Sequence, residues 1–209
     1  MENYELSLKN AHPKAKELLK DDFYWNPIEE FSPFGNDDGS DAFHGFREWR
    51  QDHKNHSPVK FIEQLLISWE YPKFDIYKLD SDEIEKYITA KTQIDTSGIE
   101  DQMPELMEQF NQIASGTGQE MTEEQIRQIF DQTSTSMGAT FLYGIDNTII
   151  AVGFGQFVLE GTIDGELKAL TQLALKRELL PILIDKLDEH KNERVEKLNK
   201  MLVAVDGME

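Results

Sequence analysis

Apolar residues in this chain return every three or four positions, in segment after segment, and most of these segments open on a residue that caps helices. That spacing constrains the fold more than any other feature, because it lets one helical face after another be buried. The clearest case is "SPVKFIEQLLISW". Ser57 stands as cap, Pro58 at the first turn, and Ile62, Leu65, Leu66 and Trp69 on one face, before Tyr71 and Pro72 close the helix. Upstream, Ala42, Phe46, Trp49 and His53 repeat at four and three. Asp37, Asp38 and Asp41 head that segment and Arg47, Arg50 and Lys54 end it, as a helix macrodipole favours. Asp38 followed by Asp41 predicts a shortened capping box. In "DSDEIEKYI", Asp80 is the expected cap and Glu83 the box partner, with Ile84, Tyr87 and Ile88 facing inward. Met103, Met107, Phe110 and Ala114 predict a helix beginning around Pro104. Thr122 with Gln125 forms a further box ahead of Ile126, Ile129, Phe130, Thr133 and Met137, a face that runs to about Gly144.

Three stretches resist this pattern. "DDFYWNPIEEFSPFG" mixes aromatics with prolines and reads as ordered and non-helical, with room for one short strand. Its Phe23, Tyr24, Trp25, Phe31 and Phe34 are expected to close over the core as a lid. "KFDIYKL" alternates weakly and reads as extended. "DNTIIAVGFGQFVLEG" has the β-branched and aromatic content of a strand, but it lacks strict alternation and is long for one. With Asp146 as cap and Gly161 as stop it reads as a buried central helix; a hairpin over 147–160 is the alternative. Beyond it, the chain predicts a helix broken or kinked at Pro181 and a last helix with Val195, Leu198, Leu202 and Val205 on one stripe. The fold class expected is mainly α: a single helical domain over 1–209, of about eight helices, with an irregular aromatic N-terminal segment. An N-terminal part, 1–115, and a C-terminal helical part, 122–209, flank a loop at 116–121, which "SGTGQ" introduces. The hairpin would make the fold α+β.

Charge is distributed unevenly. The chain carries a formal net charge of −19. Between residues 92 and 167 thirteen acids accompany a single basic residue, Arg127, whereas Lys168 to Glu209 balances eight against eight. Such a surface repels phosphate backbones and anionic lipid, so neither nucleic acid nor membrane is an expected partner. The longest apolar run, "IIAVGFGQFVL", is short for a bilayer span, and a cytoplasmic setting is expected. The absence of cysteine removes disulfides, thiolate catalysis and cysteine-ligated zinc.

Residues capable of catalysis are present, but their patterns are weak. Asp38, Asp41 and His44 are three apart and are the candidate metal ligands. They fail the EF-hand pattern, since taking Gly39 as the obligatory glycine puts Phe34 at the first ligand position, and capping accounts for the same acids. Glu105 with Glu108 and Glu120 with Glu123 match the helical carboxylate steps of magnesium-dependent pyrophosphohydrolases, but Arg127 is the only cation near them to meet phosphate. A solvated acidic face is preferred. No serine sits in a Gly-x-Ser-x-Gly elbow, and His12, His53, His56 and His190 have no evident partner. "VGFGQF" lacks the third glycine and the lysine of a phosphate loop and reads as a close-packing device. No catalytic residue and no cofactor is assigned.

"AHPKAKELL" and "DDFYWNPIEEFSPFGNDDGSDAF", with "YGIDNTIIAVGFGQFVLEG", resemble the bacterial YfeS-type proteins. The resemblance implies a domain type and a bacterial cytoplasmic setting, and it carries over no catalytic residues. The function expected is that of a non-catalytic acidic interaction protein that binds or neutralises a basic protein, an immunity protein being one concrete form. Its expected contact residues are Glu105, Glu108, Glu123, Glu124 and Asp131. A small metal-dependent hydrolase using helix-borne carboxylates is one alternative, and an acidic soluble domain with no dedicated acidic site is the other.

Overall fold

The computed structural model describes residues 6–90, 99–114 and 122–209, without the side chains of 99–102, 110, 113–114 and 129–136. The expected loop at 116–121 and the face positions Phe110, Ala114, Ile129, Phe130 and Thr133 lie outside the described residues or side chains. Nine α-helices are present among the described residues: α1 Pro13–Leu18, α2 Asp37–Asp52, α3 Pro58–Ser68, α4 Ser81–Thr89, α5 Ile99–Ala114, α6 Glu123–Glu160, α7 Gly165–Glu178, α8 Pro181–Ile184 and α9 Lys191–Gly207. Two 3-10 turns, Asp22–Trp25 and Asp185–His190, complete the order, and no strand occurs among the described residues. The fold is mainly α, as the periodicity predicts. The chain forms two compact units, one of residues 1–84 with 141–209, the other of residues 85–140.

In the larger unit the second half of α6 is the central element. Residues 148 to 158 are buried without interruption, so this helix has no solvent face. Its glycines permit that packing. A Cβ on Gly153 would lie 2.2 Å from Thr171 Oγ1 of α7, and one on Gly155 would lie 2.7 Å from the Phe43 ring of α2. Both neighbouring helices therefore approach the α6 backbone more closely than any side chain allows. The segment expected to be a helix or a hairpin is helix. It does not begin at Asp146, however, because α6 runs unbroken from Glu123 to Glu160. Gly144 does not terminate a helix either; a Cβ there would meet the Tyr71 ring at 2.9 Å. Gly161 does stop the helix. Its φ is +69°, and the His12 ring occupies the place a Cβ would take.

α6 between Met137 and Glu160 is long and apolar enough by composition to cross a membrane, but 83% of its most apolar window is buried within the protein. The core helix of a globular fold has the same composition.

The aromatic N-terminal segment closes over this helix, as expected of a lid, with a 3-10 turn in place of a strand. Tyr24 stacks on Phe154 with ring centroids 5.7 Å apart, and its hydroxyl donates to Lys200 O at 3.1 Å. Phe34 lies against Phe43 at 4.7 Å. On α9 the buried positions are Arg194, Leu198, Met201, Ala204 and Val205, while Val195 and Leu202 are only partly covered. The stripe is thus rotated from the one expected.

In the smaller unit, Thr122 and Gln125 form the predicted reciprocal box: Thr122 N donates to Gln125 Oε1 at 2.9 Å, and Gln125 N to Thr122 Oγ1 at 3.3 Å. α5 starts at Ile99, five residues before Pro104, so the proline lies inside the helix and removes one backbone donor from it. Gly138 passes Ile88 so closely that a Cβ would be 2.6 Å from its carbonyl oxygen.

Candidate functional site

The expected metal ligands do not converge. Asn36, in extended conformation, is the N-cap of α2, and its side-chain oxygen accepts from Gly39 N at 2.8 Å. Asp37 and Asp38 are already helical, so the cap lies two residues earlier than the Asp38–Asp41 box predicts. Asp38 instead accepts a hydrogen bond from the Tyr71 hydroxyl at 2.5 Å, while Asp41 and His44 are exposed. Among the described residues no three histidine or carboxylate side chains are grouped as ligands of one ion. His12 caps α1, His53 stacks on Trp49 at 4.5 Å, His56 meets the His53 ring at 5.2 Å, and His190 is exposed beside Phe31.

The carboxylates expected to contact a partner face solvent. Glu105 and Glu108 on α5 and Glu123 and Glu124 on α6 are all exposed. Arg127 pairs with Glu123 across one helical turn, at 3.6 Å. Glu120 and the side chain of Asp131 lie outside the description.

Four further charged groups, missed in the sequence, are buried in the larger unit. Asp146 on α6 receives Arg177 of α7, whose Nε donates to both carboxylate oxygens at 3.1 Å and whose Nη2 adds a third bond. The next residue, Glu178, points about 100° further round α7 and receives Arg194 of α9 through Nε at 2.9 Å and Nη2 at 2.6 Å. Arg194 Nη2 also donates to Asn147 Oδ1 at 3.3 Å, which joins the two pairs across α6, α7 and α9. Burial pushes the Asp146 carboxyl above its ordinary range, against the opposing pull of the Arg177 guanidinium. The signal was present in the register. Arg177 and Glu178 continue the face of Leu167, Leu170 and Ala174, and Arg194 lies on that of Leu198, Met201 and Val205. A charge on a buried face implies a partner.

Arg177 also shapes the surface. Its Nη1 donates to Ile76 O at 3.0 Å and to Lys78 O at 2.6 Å, and its guanidinium lies 5.1 Å from the Phe74 ring centroid. The segment after α3 is thereby held to the body of the unit, with no strand to pair with. It enters this position through a helix-ending turn. Glu70 has φ +56°, Glu70 N donates to Ile67 O at 3.0 Å, and Tyr71 N to Leu66 O at 3.2 Å, which is the Schellman arrangement.

Between α3 and the 71–77 segment lies an open groove of about 650 Å³ with Ile145 among its lining residues. Its walls are largely apolar, and they include Leu66, Ile67, Tyr71, Phe74 and Tyr77. Ile67 is 76% exposed and Tyr77 49%. Glu63 and Asp75 line it together with one cation, Lys73. The Tyr77 hydroxyl donates to Glu166 at 2.8 Å. Burial, that hydrogen bond and the charges of Glu166, Glu63 and Asp75 push the phenol up to about 12. A second groove, between α9 and Lys20–Asp21, differs in that lysines balance its acids: Lys20 and Lys200 both line it, and Lys200 meets Asp21 at 3.1 Å and Glu196 at 3.0 Å.

The chain matches no family model, no curated protein and no solved structure.

Proposed function

We propose that this protein is a non-catalytic binding protein that holds a basic protein partner through the carboxylates of α5 and the start of α6. The observation that carries the reading is the exposure of Glu105, Glu108, Glu123 and Glu124 along a stretch of chain whose only cation, Arg127, is already paired with one of them. Uncompensated like charge raises the free energy of the unbound protein and attracts an oppositely charged surface, so association is steered and falls with added salt. An immunity-like role, neutralising a basic toxic protein, is one form this takes.

The test is capture from the native cell extract at low and at high salt, followed by purification of whatever is retained. The fourfold variant Glu105→Lys, Glu108→Lys, Glu123→Lys and Glu124→Lys should lose the partner while keeping the melting temperature of the parent. Unchanged capture with unchanged salt dependence would end the acidic-surface reading.

A further inference from the structure

We propose that the groove between α3 and the 71–77 segment is a docking site for an amphipathic basic helix, which seats bulky apolar side chains between Ile67 and Tyr77 and places lysine or arginine beside Glu63, Asp75 and Glu166. The inference rests on the reading of a basic protein partner and adds a surface in the larger unit, distinct in sequence from α5 and the start of α6.

Two features single this groove out. The first is exposed apolar area in one place. Of the six large apolar side chains exposed among the described residues, Ile67, Tyr77 and Leu79 belong to α3 or the segment that follows it. Scattered single apolar residues need no explanation, but a group bordering a concave wall does. The second is charge complementarity. Glu63 and Asp75 line the groove, and Tyr77 holds Glu166 at its margin, against the single cation Lys73. The groove beside α9 lacks this property, because two lysines, Lys20 and Lys200, line it beside two acids, Asp21 and Glu196.

The form of the occupant follows from the wall. Its Ile76 and Lys78 carbonyls are turned inward onto Arg177. Those two acceptors are thereby closed to an added strand, which suits a partner that brings side chains to the groove. The wall is also anchored. Arg177 is itself buried and held by Asp146, so its hold on the backbone at Ile76 and Lys78 does not depend on an occupant.

The probe is a synthetic Leu/Lys peptide of about fourteen residues, roughly four helical turns, with leucines on one face. It is titrated calorimetrically into the full chain, beside a Leu/Glu peptide of the same pattern. The Leu/Lys peptide should bind and the Leu/Glu peptide should not. Ile67→Ser, at a position open to solvent, and Tyr77→Ser should each weaken binding about tenfold. The double change Glu63→Lys and Asp75→Lys should weaken it and flatten its salt dependence. The fourfold α5/α6 reversal should leave it unaltered. If the groove variants bind the peptide like the parent and the α5/α6 reversal abolishes binding, the groove inference is overturned while the broader reading stands. Equal binding of both peptides overturns the charge argument. Loss of partner capture by the α5/α6 variant bears on the broader reading alone. Circular dichroism of each variant confirms its fold before titration.

Discussion

The same residue type serves opposite purposes in the two units. In the larger one, Asp146 and Glu178 are fully enclosed, and each is met by an arginine from another helix. In the smaller one, Glu105, Glu108, Glu123 and Glu124 face water. Sequence charge does not distinguish them. Asp146 and Glu160 fall within the stretch of thirteen acids and one arginine, yet both are neutralised by arginines outside it, Arg177 and Arg50. Long-range pairing thus takes Asp146 and Glu160 out of the exposed charge, while Glu105, Glu108, Glu123 and Glu124 on α5 and early α6 keep facing water. A local excess of one sign marks a binding surface only after the long-range pairs have been removed from it.

The largest expected effect lies in the buried network. Arg177→Met leaves Asp146 enclosed without its partner and releases the Ile76 and Lys78 carbonyls, so urea unfolding should show a loss of about 3–5 kcal/mol. Combining it with Asp146→Leu should recover much of that loss, since an apolar pair of similar volume needs no desolvation. A double variant as unstable as the single one would mean that the carbonyl contacts, not the ion pair, dominate. Next in size is Gly153→Ala on α6. The added methyl has to displace Thr171, and overpacking of this kind costs about 1–3 kcal/mol. Glu70→Gly should act in the opposite sense, gaining up to about 1 kcal/mol by relieving the left-handed backbone at the end of α3. Smallest of all is the stability change of the fourfold α5/α6 reversal. A clear loss of melting temperature there would show that those carboxylates serve the fold, and the contrast between the two units would fail.

Acid titration sharpens the same contrast within the larger unit. Burial raises Asp146, so between about pH 4, where an ordinary aspartate titrates, and its raised value the native state keeps a proton the unfolded chain has lost. Stability from this group is greatest below that window and falls as pH rises through it. Glu160 is the reverse case. Partial burial pushes it up, but the hydrogen bonds from Arg50, at 2.6 and 3.1 Å, and from Gln156, at 2.9 Å, prevail and the net shift is downward. Its contribution is present above the ordinary glutamate range and is lost as pH falls through the lowered value. Denaturant midpoints measured against pH should lose the first slope in Asp146→Asn and the second in Glu160→Gln. Slopes of the same sign in both variants would show that burial does not separate the two carboxylates.

Much of the fold was determined locally. Ser57 and Asp164 cap helices through bonds to the first turn, and Thr122 with Gln125 closes its box, because these bonds join residues two or three apart. The four-to-three spacing that buries Ala42 and Phe46, and the stop at Gly161, are local in the same sense. Tertiary structure decided what local rules leave degenerate. Asp146 satisfies the preference for a helix cap as well as it satisfies a buried arginine, and only the arrival of α7 selects the second. Gly144 reads as the end of a helical face until Tyr71 fills the space above it, and the close packing expected at Gly153 gets its partner only from Thr171. The groove is decided last, since its wall is fixed by Arg177, about one hundred residues along the chain from Ile76 and Lys78. A capping bond or an apolar stripe is encoded within a single helical turn, whereas pairing a buried charge requires two distant segments to meet, and that depends on the packing of the whole unit.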